Sequence, residues 1–131
     1  MTRHPPDDPR EWLNRARSNL ERANLKGNQT YLEDLCFDAQ QAAEKAIKAV
    51  LIHRKAPIVY THSLQRLLDL VDQSGVPIPQ TVAEAPYLTR FASLTRYPGA
   101  DEATAEQYEE AKRIAEAVLR WAEQLILGET E

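Results

Sequence analysis

Apolar residues return every three or four positions through most of this chain and nowhere alternate. Trp12, Ala16, Leu20 and Ala23 form one such stripe, and Leu64, Leu67, Leu68 and Val71 a second. Tyr108, Ala111, Ala115, Val118, Ala122 and Leu125 form the longest, the seam of a bundle helix. Leu88, Phe91, Ala92 and Leu94 supply a shorter face. Between the first two stripes lies LCFDAQQAAEKAIKAVL, residues 35–51, with alanine at 39, 42, 43, 46 and 49. Alanine is the best helix former and the smallest chiral residue, so this segment is stable locally and admits a close neighbour. No pair of alternating runs flanks a hairpin turn. The pattern predicts an all-α protein, an antiparallel up-and-down bundle of about five helices.

Start and stop signals place the helices. Asp8-Pro9-Arg10-Glu11 reads as an N-cap, a proline at the first helical position and a capping acid. Gly27 is the expected stop, and Thr30 with Glu33 a capping box for the alanine-rich helix. That helix is expected to close on the basic His53-Arg54-Lys55 before Pro57. Thr61 or Ser63 caps a third helix, putting His62 in its first turn, and Gly75 and Pro77 end it. Thr81 with Glu84 opens a fourth, which Pro86 kinks or restarts. Thr104 with Gln107 caps the last. A single domain over residues 8–127 follows, with 1–7 and 128–131 as flexible termini.

Composition narrows the class. The 131 residues are 43% hydrophobic and 27% charged, ordinary for a folded domain. The lone cysteine excludes an internal disulfide. With no signal peptide at the polar start and no apolar run near the ~20 residues of a membrane span, the expectation is a cytoplasmic protein without membrane contact. Net charge is -4, but residues 1–66 carry 11 Lys/Arg against 8 Asp/Glu and residues 67–131 carry 5 against 12. A polyanion would therefore meet the first half, around Arg10, Arg15, Arg17, Arg22, Lys45, Lys48, Arg54 and Lys55. Solvated helix faces are the alternative.

Few residues offer chemistry. Among the three histidines, His4 lies in the tail and His53 at a helix end where the dipole favours a cation. His62 either faces a cleft or serves as a local cap. Cys36, His53 and His62 lack the spacing of helical metal ligands, so no metal is expected, and Cys36 reads as a small core residue. The four glycines are isolated, leaving no phosphate loop. Arg96-Tyr97-Pro98 is a candidate site, because Pro98 extends Tyr97 and Arg96 offers a planar fork to phosphate or carboxylate. The alternative is a guanidinium bonded to helix-end carbonyls.

Three features in order, Cys36-Phe37-x-Ala39-Gln40-Gln41-Ala42-Ala43-Glu44-Lys45-Ala46-x-Lys48-Ala49, then Thr61-His62-x-Leu64, then Arg96-Tyr97-Pro98, resemble the HEPN domain (higher eukaryotes and prokaryotes nucleotide-binding) over about residues 8–127. The resemblance implies a helical bundle, usually a homodimer. Many small prokaryotic members are encoded beside a minimal nucleotidyltransferase and act as its substrate-binding or toxin-like partner, in a toxin-antitoxin-like pair. Other members are metal-independent ribonucleases, whose signature is an arginine, four to six residues, then histidine. Here seven residues separate Arg54 from His62, and no histidine follows Arg96. The fitting spacings, Lys48 to His53 and Lys55 to His62, start from lysine, which lacks the bidentate fork.

The reading is therefore a non-catalytic module, with no catalytic residue and no cofactor. It binds a nucleotide or other phosphate in a cleft and partners a minimal nucleotidyltransferase. Arg96 would bind phosphate, while His62, Gln40, Glu44, Lys48 and Tyr97 shape the pocket. The alternatives are a ribonuclease toxin using His62 with Arg96, and a scaffold without ligand. Leu13, Leu25, Trp121 and Ile126, beside the seams, suggest apolar surface for a second copy.

Overall fold

The computed structural model describes residues 1–92, 98–99 and 102–128. Helix α1 spans Pro9–Ala23, α2 Leu32–His53, α3 Leu64–Gln73, α4 Gln80–Ala83 and α5 Ala105–Leu127, with a 3-10 helix at Ala85–Phe91. There is no strand among the described residues.

Local chemistry explains most boundaries. Asp8 caps α1 by accepting from the Arg10 amide at 2.9 Å, with Pro9 first in the helix. The Arg10 guanidinium bonded to Asp8 holds its carboxyl down at about 2. Glu11 does not complete a capping box. Its oxygens accept from the His4 amide and Arg15 Nε, both at 2.9 Å. Helix α5 does have the full box, Thr104 accepting from the Gln107 amide and Gln107 Oε1 from the Thr104 amide.

Other signals act differently from expectation. Helix α1 ends at Ala23, before Gly27, and Gly27 instead forms a turn with Thr30, whose Oγ1 accepts from the Gly27 amide at 2.9 Å. With that hydroxyl already committed, Tyr31 takes the N-cap position of α2 without a side-chain bond. Glu33 accepts from the Ala103 amide at 3.2 Å, a tertiary bond that no local rule anticipates. Ser63, not Thr61, caps α3. His62 thus precedes the helix rather than lying in its first turn. The fourth helix divides: α4 has four residues, and the chain continues from Ala85 as a 3-10 helix. Pro86 lacks the amide that would continue the α-helix.

Helix α2 is central, packing against α1, α3, α5 and the 3-10 helix. Its five alanines between 39 and 49 are fully buried, and their small size lets neighbours close in on several sides. Polar pairs give the directions. Tyr108 donates to the Ala23 carbonyl at 2.6 Å and Arg17 to Glu123 at 2.7 Å, so α5 runs antiparallel to α1. Asn19 meets Asp38 at 3.0 Å across the α1–α2 hairpin, also antiparallel. The segment from α3 to the 3-10 helix returns the chain between α2 and α5. No helix is long and apolar enough to cross a membrane among the described residues.

Candidate functional site

Gln40, Glu44 and Lys48 stand one helical turn apart on α2, on the face toward the loop that leads into α3. The fold brings His62 from that loop onto the same stripe. Glu44 Oε1 accepts from Gln40 Nε2 at 2.8 Å and meets His62 Nδ1 at 3.1 Å, while Oε2 accepts from Lys48 Nζ at 2.9 Å. Gln41 Nε2 donates to Gln40 Oε1 at 2.8 Å and fixes that amide.

Glu44 is 4% exposed and Gln40 wholly buried, whereas the His62 side chain is 59% exposed. Burial pushes the Glu44 carboxyl up, but bonds from Lys48, Gln40 and His62 outweigh it and leave the group below its ordinary value. The carboxylate is therefore ionised near neutral pH and can only accept, so His62 Nδ1 carries a proton. The ring is thereby oriented, and its Nε2 bonds to no described residue. Tyr60, fully exposed, stands edge-on to this ring with centroids 6.5 Å apart.

Four of the six candidate positions thus converge: Gln40, Glu44, Lys48 and His62. Arg96 and Tyr97 lie outside the described residues. Cys36 is fully buried, and burial together with Glu33 pushes its thiol up to about 12, the state of a core residue rather than a nucleophile. Among the described residues no group of three or more His, Cys, Asp or Glu is arranged to hold a metal ion.

One polar cluster escaped the sequence reading. Asn19, 3% exposed, donates to Asp38 at 3.0 Å and accepts from Lys45 Nζ at 2.8 Å. Its available signal was a polar residue set between Ala16, Leu20 and Ala23 on the buried side of α1.

A bundle centred on an alanine-rich helix, with a Gln-Glu-Lys ladder meeting a Thr-His-Ser step, defines the class. The HEPN domain model matches residues 9–125, and the chain belongs to this family. Among solved structures it is similar to TT1696 from Thermus thermophilus, at 33% identity and TM-score 0.72 over 88% of this chain and 96% of that one. It is also similar to ST0689, an archaeal HEPN homologue, at 25% identity and TM-score 0.66 over 96% and 99% of the two chains. Comparison with curated proteins gave no match.

Proposed function

We propose that the chain is a non-catalytic HEPN module that binds a nucleotide or other phosphate ligand beside His62 and works with a minimal nucleotidyltransferase. The observation that supports this is the largely exposed His62 side chain, whose Nδ1 is held by buried Glu44. A ring fixed in this way presents one directed polar group to a ligand without losing rotamer freedom on binding. Arg96 supplies the phosphate fork in this reading, on sequence grounds. Lys48 balances the Glu44 charge, so an arriving anion does not face an uncompensated carboxylate. The nucleotidyltransferase partner rests on the family alone, and the homodimer on the family and on apolar surface such as Leu25.

Calorimetry with adenosine monophosphate provides the test. His62→Ala and Arg96→Ala should each weaken binding at least roughly tenfold, the worth of one charge-assisted hydrogen bond. Unchanged affinity in both variants overturns the reading. Sedimentation should find a dimer at micromolar concentration, although Leu13 and Trp121 are buried within the subunit and leave Leu25 and part of Ile126 for a partner.

One observation favours a second reading. A carboxylate bonded to Nδ1 of a solvent-facing histidine is the arrangement a general acid or base requires. Cleavage of single-stranded RNA that disappears in His62→Ala would move this protein to the ribonuclease group. The Arg-to-His spacing argues for no cleavage.

A further inference from the structure

Away from the His62 stripe, the first eight residues lie along α1 and are tied to it three times. Asn14 Nδ2 donates to the Thr2 carbonyl at 2.7 Å, the His4 amide to Glu11 at 2.9 Å, and Trp12 Nε1 to the Pro6 carbonyl at 2.7 Å. Under this strap lies a cavity of about 260 Å³ lined by Pro6, Glu11, Trp12, Arg15 and Lys45. A smaller one of about 120 Å³ continues from Glu11 and Arg15 to Arg3.

The donors and acceptors around the larger cavity are unequally used. Both oxygens of Glu11 are occupied, by the His4 amide and Arg15 Nε. Arg15 spends only Nε, and its two terminal nitrogens bond to no described residue. Lys45 spends one N–H, on Asn19. The cavity therefore offers unused cationic donors from Arg15 and Lys45, beside a Glu11 carboxylate whose two oxygens already accept one hydrogen bond each. Burial pushes the Lys45 ammonium below the ordinary lysine value, and the charges of Arg22 and Arg15 press the same way against Glu44 and Asp38. With Arg15 and Lys45 against the single carboxylate of Glu11, the lining carries net positive charge. The Trp12 indole, its N–H already bonded, gives the cavity a flat apolar wall beside Pro6.

We propose that this cavity is a second ligand site, taking a single flat aromatic ring that bears one phosphate or carboxylate group. The ring lies against Trp12 and Pro6, and the anion meets Arg15 and Lys45. Drug-sized ligands fill pockets of roughly 300–1,000 Å³, so this smaller space suits one ring with one anionic group. The site gives the basic first half of the chain a use that the His62 stripe does not.

The chain has two tryptophans, so a proton–nitrogen correlation spectrum carries two indole N–H signals, and Trp12→Phe assigns them. Phenyl phosphate, benzoate and inorganic phosphate are the probes. Phenyl phosphate or benzoate should shift the Trp12 signal saturably at low millimolar concentration, the tighter of the two naming the anionic group. Arg15→Gln, at a largely exposed position, should weaken this roughly tenfold while the rest of the spectrum stays that of the folded protein, since a charge-assisted bond is lost. His62→Ala should leave it unchanged, which separates this site from the first. The proposal is overturned if no aromatic probe saturates, if Arg15→Gln has no effect, if His62→Ala abolishes the shift, or if inorganic phosphate binds as tightly as the aromatic anions.

Discussion

Glu44 carries three hydrogen bonds while almost wholly buried, so its charge and its partners are interdependent. Removing the charge strands the Lys48 ammonium, whose side chain is only 14% exposed. Glu44→Gln should therefore cost about 2–4 kcal/mol of stability, read by urea unfolding. The pH dependence has a definite sign. The folded pKa of Glu44 lies below its ordinary 4.5, so its contribution is present above the unfolded value and is lost as pH falls through the depressed folded one. Asp8, Glu11 and Glu110 are depressed too, but they cancel in a comparison of wild type with Glu44→Gln. The stability difference between the two should shrink on acidification below about 4.5.

Helix ends carry the next set of consequences. Helices α2 and α3 stop in the same way: Ala56 bonds back to the Leu51 carbonyl and Lys55 to Ile52, as Val76 does to Val71 and Gly75 to Asp72. The residue at the turning point differs. Gly75 adopts φ +94 freely, whereas Lys55 holds φ 56 with a side chain attached. Lys55→Gly should stabilise the protein by roughly 1 kcal/mol, observed as a higher thermal midpoint. At the other end of the chain, Thr104→Ala removes the oxygen that accepts from the Gln107 amide and should cost about 1 kcal/mol by the same measurement.

At the scale of the whole molecule, α1 and α5 are joined by one buried polar bond at the end where the chain leaves α1. Tyr108, 1% exposed, donates to the Ala23 carbonyl, a C-terminal group that the helix itself cannot satisfy. Tyr108→Phe keeps the ring and leaves that carbonyl unpaired, so it should cost about 1–2 kcal/mol in urea unfolding. The fully buried alanines of α2 set a different limit. Ala46→Leu forces extra volume between packed helices and should cost roughly 1–3 kcal/mol in the same assay.

Periodicity and capping chemistry are local, and they determined the helical class, the capping box that opens α5, and the Asp8 start of α1. The stripe of Gln40, Glu44 and Lys48 was equally legible, because a turn of helix fixes which residues share a face. Local rules failed where a side chain had a choice of partners. Thr30 turned to Gly27 and Glu33 to Ala103, and neither competition can be judged without the positions of both partners. Tertiary structure alone decided that His62, eighteen residues from Glu44, would bond to it with Nδ1 while its side chain stays largely exposed. It alone laid residues 1–8 over Trp12 and Arg15, since nothing in a proline-rich start specifies which helix face it will cover. A sequence names the donors and acceptors, but their distances, and hence their energies, come from how the helices pack.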